Sequence, residues 1–103
     1  MRAVRLSLTA RLQFQSLLRD GASKFGIDVA DAKRTIVETC LRIYLAEYPH
    51  HGFRMPRKRL YHFPVTDTPF AVVYDYDDTE LRVYFIVHQR ADKRRLKARD
   101  AIW

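Results

Sequence analysis

Two apolar runs joined by an acidic turn constrain this chain most. Between Phe70 and Arg90 it reads FAVVYDYDDTELRVYFIVHQR. Phe70, Val72, Tyr74 and Tyr76 alternate with Ala71, Val73 and Asp75; after Asp77-Asp78-Thr79, Leu81, Val83, Phe85 and Val87 alternate with Arg82, Tyr84, Ile86 and His88. β-Branched and aromatic residues around a polar turn predict a β-hairpin. Both parities of each run are largely apolar, so the hairpin must belong to a larger sheet with cover on one face and part of the other.

The preceding residues supply that cover. Val4, Leu6 and Leu8 alternate with Arg5 and Ser7, predicting a short first strand, with Thr9 as the cap of the helix that follows. From Ala10 the period changes: Phe14, Leu17, Leu18, Gly21, Ala22 and Phe25 fall three and four apart, on one face of a helix ended by Gly26. Gly21 is a point of weakness in it. Asp28 is expected to cap a second helix, with Asp31 adding negative charge near its N-terminus. Its apolar face (Val29, Ala32, Ile36, Val37, Cys40, Leu41, Ile43, Tyr44, Leu45, Tyr48) is broad enough to meet both the first helix and a sheet, and Pro49 stops it. The two helices read as an antiparallel hairpin.

His50 to Arg59 has no clear period and is expected to be a loop. A strand from about Arg59 to Val65 follows, with Leu60 and His62 on one side and Tyr61, Phe63 and Val65 on the other; Pro64 requires an edge or a bulge. Beyond His88 the chain is strongly basic, and Ala91 to Trp103 is expected either to form a short terminal helix or to fray. The order β-α-α-β-β-β predicts an α+β domain over residues 1–103, with an N-terminal strand and a helical hairpin on one face of a small, mostly antiparallel sheet. Periodicity leaves open whether the first strand lies at an edge or between others.

Nineteen Lys and Arg against twelve Asp and Glu give a net charge of +7. The positive charge gathers at Arg54, Arg57, Lys58 and Arg59 and again at Lys93, Arg94, Arg95, Lys97 and Arg99, which favours a polyanion or an acidic protein segment as partner. The one cysteine, Cys40, forms no internal disulfide, which fits a reducing, cytoplasmic setting; a buried apolar role suits it better than a nucleophilic one. No apolar run has membrane-spanning length and the N-terminus lacks a signal-peptide core, so no membrane association is expected. His50 and His51 have no further metal ligands near them, and neither a metal site nor a cofactor is expected. Asp75, Asp77, Asp78 and Glu80 read as a solvated acidic tip, and the alternating tyrosines as core.

Four stretches carry a family resemblance: VRLSLTARLQF at the start, LRIYLAEYPHHG at the end of the second helix, the strand FAVVYDY, and the closing VYFIVHQRADKRRL. In that order and spacing the chain resembles the RelE/ParE superfamily of toxins from bacterial type II toxin-antitoxin systems. The resemblance implies an active surface on the concave face and basic rim of the sheet. It also implies a cognate antitoxin whose extended and helical C-terminal segment wraps the toxin in a hetero-oligomer. RelE-like members cut messenger RNA on the ribosome, whereas ParE-like members poison DNA gyrase.

The nuclease pattern is mostly missing here. Where RelE-like enzymes carry lysines before the hairpin, this chain has His62 and Pro64; Phe70-Ala71 stands in place of an arginine; Arg90 suits the second arginine; and the tail tyrosine position falls near Leu96. The resemblance therefore leans toward the ParE-like branch. The residues expected to contact target or antitoxin are Arg57, Lys58, Arg59, Arg90, Lys93, Arg94 and Arg95. Catalytic roles fall to His62, His88 and Arg90 only in the alternative reading, an mRNA endonuclease. A non-toxic basic nucleic-acid-binding module is the second alternative.

Overall fold

The computed structural model describes the whole chain, Met1 to Trp103. β1 (Ala3–Leu6) leads into α1 (Leu8–Phe25) and α2 (Ile27–Thr39), followed by β2 (Phe53–Arg54), β3 (Tyr61–Pro64), β4 (Phe70–Tyr76) and β5 (Glu80–His88). The sheet order is β1-β5-β4-β3-β2, with β1 parallel to β5 and every other pair antiparallel. This is the expected α+β architecture, with β1 placed at an edge and one short strand, β2, found inside the expected loop. Pro64 is tolerated because β2 reaches only Tyr61 and His62, so nothing pairs beyond Pro64 on that side.

Both helix starts differ from the sequence expectation. Ser7, not Thr9, caps α1: its Oγ accepts the Ala10 N–H at 2.8 Å. Gly26, at φ 98°, takes the turn between the helices in a conformation that suits glycine, and Asp28 lies in the first turn of α2 rather than at its cap. α1 runs through Gly21 without a break. α2 continues into a π-helical turn, Cys40–Leu45, that keeps Leu41 and Leu45 buried and leaves Arg42, Ile43 and Tyr44 exposed.

The hairpin is not a simple alternation. Val73 pairs with Phe85 and Tyr74 with Val83, so Tyr84 is an extra residue on β5. The bulge divides the expected Leu81-Val83-Phe85-Val87 face. Leu81 and Val83 join the core under the helices, Ile86 takes over that side after the bulge, and Phe85 turns to the opposite face. β1 ends opposite Val83, and α1 completes the exposed edge of β5. Ser7 Oγ donates to the Tyr84 carbonyl at 2.7 Å, and Gln13 Oε1 accepts the Ile86 N–H at 3.0 Å.

The helix-side core joins 13 buried residues, among them Phe14, Leu18, Val37, Leu45, Val72 and Tyr74. Phe14 meets Phe70 edge-on at 5.9 Å. Tyr74 is fully buried and donates its hydroxyl to the Pro49 carbonyl at 2.6 Å. Gly52 lies against it: a Cβ there would come 2.0 Å from the hydroxyl oxygen, so only glycine fits. The opposite face has a cluster of four, Met55, Leu60, Val73 and Phe85, against which Leu96 and Ala101 of the tail pack.

The tail is ordered but is not one helix. It makes two 3-10 turns, Lys93–Arg95 and Ala98–Asp100, and returns to α1, where Thr9 donates its N–H to the Ile102 carbonyl at 3.1 Å and its Oγ1 accepts the Ile102 N–H at 2.8 Å. Trp103 ends edge-on to Tyr84 at 5.0 Å, with Arg5 over its ring.

Candidate functional site

The β2–β3 loop and the start of the tail face each other across a groove of about 730 Å³ on the face away from the helices. The loop is pinched at its base, where Met55 N–H donates to the Leu60 carbonyl at 2.9 Å, and both side chains are buried. Its tip carries Arg57 at φ 61°, a left-handed conformation that disfavours a side chain other than glycine. From this side Arg57 and Lys58 line the groove, from the sheet His62, and from the tail Lys93 and Arg94.

These cations are not equivalent. Lys58 Nζ donates to the carbonyls of Arg94 (2.7 Å), Lys93 (3.3 Å) and Leu96, so its charge holds the tail in place. Lys93 Nζ donates in turn to the carbonyls of Gln89 (2.7 Å) and Ala91 (3.3 Å). Arg94 forks onto Asp92 at 3.0 and 3.1 Å and holds that carboxyl at about 2, through its side chain and its backbone N–H; the pair is exposed and contributes little to stability. Arg57, Arg59, Arg90 and Arg95 are exposed and make no ion pair or side-chain hydrogen bond. The sequence clusters therefore divide into cations that bind the chain itself and cations open to a partner.

His62 lies on β3 opposite Val73. Its Nδ1 is buried without a hydrogen-bond partner. Burial and, secondarily, the Lys93 charge lower its pKa below the ordinary histidine value, so the imidazole is neutral at neutral pH. His88, opposite Phe70 at the end of β5, lies on the helix side, lines a cleft with Leu17 and Phe70, and accepts the Arg90 backbone N–H on Nδ1 at 3.1 Å. The sheet thus separates His62 from His88. Arg90 lies outside the groove lining, as do Arg59 and Arg95. Of the residues singled out in the sequence, the groove gathers Arg57, Lys58, His62, Lys93 and Arg94. Chemically it offers a neutral imidazole among cations, two of which are already engaged with carbonyls.

The acidic residues at the hairpin tip also have a function that the sequence reading did not give them. Arg82 is held by Asp75 (2.7 Å), Asp77 (2.8 Å) and Glu80 (2.9 Å), and Asp75 accepts the Tyr84 hydroxyl at 2.8 Å. Arg82, with help from the Thr79 and Glu80 N–H groups, holds Asp77 far below the usual carboxylate range. The acidic tip was legible in the sequence, but its engagement of Arg82 and the bulge that brings Tyr84 over Asp75 were not. No cluster of side chains has the makings of a metal site. No helix is long and apolar enough to cross a membrane.

No family model matches this sequence, and no curated protein does. Among solved structures the chain is similar to one from the chromosomal ParDE TA system of P. aeruginosa, with a TM-score of 0.69 at 10% identity over 85% of this chain and 96% of that one. At that identity the likeness is one of fold. That fold agrees with the one the sequence resemblance implied.

Proposed function

We propose that the 103-residue chain is the toxic component of a cytoplasmic type II toxin-antitoxin pair, inhibiting growth by a ParE-like, non-covalent action on DNA gyrase. The observation that carries this reading is the division of its titratable groups. Cleavage by the 2′-hydroxyl needs a base and an acid on the same phosphate. His62 and His88 are on opposite faces of the sheet, and the Lys58 and Lys93 amines are engaged with backbone carbonyls. What remains open around the groove is cationic contact surface, Arg57 above all, with Arg90 and Arg95 on the adjoining tail. The antitoxin would occupy the helix side, where Leu17, Gly21, Phe25, Val29 and Phe70 line a cleft of about 450 Å³ flanked by Lys24 and Lys33, with Asp20 the one carboxylate beside them. That combination suits an amphipathic acidic segment.

One observation favours the second reading, a ribosome-dependent mRNA endonuclease: the unpartnered Nδ1 of His62 lies beside Lys93 in the groove. Pulse labelling after induced expression without antitoxin separates the readings. Thymidine incorporation falling first, with filamentous cells, supports gyrase; methionine incorporation falling first supports the nuclease and makes His62 the residue to replace. Growth without inhibition leaves a basic binding module and overturns both.

A further inference from the structure

The arginines of β2 and the β2–β3 loop divide between two sides. Arg57 faces the tail groove, whereas Arg54 and Arg59 enter a separate cleft of about 470 Å³ with Tyr61, Tyr76, Asp75 and Arg82. Arg54 pairs across the strands with Tyr61, and the Tyr61 and Tyr76 rings lie 5.3 Å apart. Arg2 covers the Tyr76 ring at 5.4 Å.

The donor and acceptor inventory of this cleft is one-sided. Arg82 is neutralised by Asp75, Asp77 and Glu80. Asp75, the one carboxylate in the lining, is occupied on one oxygen by Arg82 and on the other by Tyr84. Arg54 and Arg59, by contrast, are exposed and form no ion pair and no side-chain hydrogen bond. Burial and then the hydrogen bond with Tyr61 raise the pKa of the Tyr76 phenol, and the Arg2 and Arg54 charges oppose the shift, so at neutral pH the phenol keeps its proton. The cleft therefore offers two free guanidinium forks beside the paired Tyr61 and Tyr76 phenols, with its single carboxylate already engaged. A tetrahedral oxyanion with several acceptor oxygens matches that set, because a guanidinium fork binds a phosphate through two parallel hydrogen bonds.

We propose that the Arg54–Arg59–Tyr61–Tyr76 cleft is a phosphate-binding site, distinct from the tail groove, for the phosphate of a nucleic-acid strand or of a free nucleotide. It goes beyond the toxin reading and does not rest on it, since binding by the purified chain is measured without any growth phenotype.

The test is a titration of the full chain with inorganic phosphate at neutral pH and constant ionic strength, followed by heteronuclear NMR. The Arg54 and Arg59 side-chain N–H and the Tyr61 and Tyr76 ring resonances are expected to shift and saturate. Replacing both exposed arginines, Arg54→Gln with Arg59→Gln, is expected to weaken binding roughly tenfold or more, the loss of forked charge-assisted hydrogen bonds. Arg57→Gln, on the other side of the loop, leaves it unchanged. Adenosine monophosphate and a single-stranded hexanucleotide then distinguish the source. A strand that binds about tenfold tighter than the nucleotide, and loses that gain in the double variant, assigns the site to nucleic acid. Equal affinities, both lost in the double variant, assign it to a free phosphomonoester. Shifts that do not saturate, that survive in the double variant, or that follow Arg57 overturn the site.

Discussion

The two faces of the sheet are built on different principles. Under the helices, 13 buried residues interlock and the cover is two long helices. On the far face the buried cluster is four residues, Met55, Leu60, Val73 and Phe85, and the cover is a tail of two 3-10 turns fixed by the Lys58 ammonium, the Thr9–Ile102 pair and the Trp103 ring. The first face has the apolar area to carry the stability of the domain. The second has cations, a half-buried neutral histidine and a left-handed arginine, features that cost stability or contribute little to it. A small domain thus keeps its folding free energy on one side of a sheet and leaves the other for recognition.

The sharpest way to break this comparison is to make a cavity on each face. Leu45→Ala, under the helices, is expected to destabilise by about 2–5 kcal/mol in denaturant unfolding. Leu96→Ala in the tail should cost about 1 kcal/mol or less, because that side chain is only half-buried. Equal losses at the two sites would show that the far face carries more of the stability than its small cluster indicates.

Next in size is the clamp. Lys58→Met removes a charged donor from three carbonyls and is expected to cost about 1–3 kcal/mol locally. Hydrogen exchange at residues 93–103 should accelerate and the fluorescence of Trp103, the single tryptophan, should move to the red, while helix amides keep their protection. Protection lost throughout the chain would mean that the tail and the helix-side core unfold as one unit.

A smaller effect follows from His62. Its folded pKa is lowered, by burial first and Lys93 second. The contribution of the neutral ring is therefore full above the unfolded value of about 6.5 and is lost as pH falls through the lower folded value. Unfolding midpoints measured down through that window should fall more steeply in the parent than in His62→Phe. Matching slopes would place the titration elsewhere.

The smallest effect has the opposite sign. Arg57→Gly relieves a left-handed residue, so stability should stay level or rise by up to about 1 kcal/mol. Growth inhibition should weaken, and the target binding that remains should be less salt-sensitive than that of a tail-core variant, which keeps every cation. A clear fall in stability would show that the Arg57 side chain supports the loop.

Much of this architecture was legible residue by residue. The three- and four-residue spacing from Phe14 to Phe25 and from Val29 to Tyr44 is a local signal that tertiary contacts reinforce, so the helical hairpin was readable, as were the β4–β5 hairpin and the shared side of His62 on β3 and Leu60 just before it. The basic character of the candidate site was readable too, as charge is additive along a chain.

The rest depends on encounters between distant segments. Ser7 caps α1 because the bulge at Tyr84 presents a carbonyl to its hydroxyl across 77 positions of sequence. The bulge reverses the sidedness of β5 halfway along, and a two-period reading cannot contain a reversal. Only folding decides that Lys58 and Lys93 serve the tail while Arg57 stays free, that His62 and His88 face opposite ways, and that three acids gather on Arg82. The sequence by itself determined the elements, their order and the net charge, since these are properties of short windows and of sums. Tertiary structure decided which charges are engaged and which remain open, because that depends on partners the chain brings together only when it is folded.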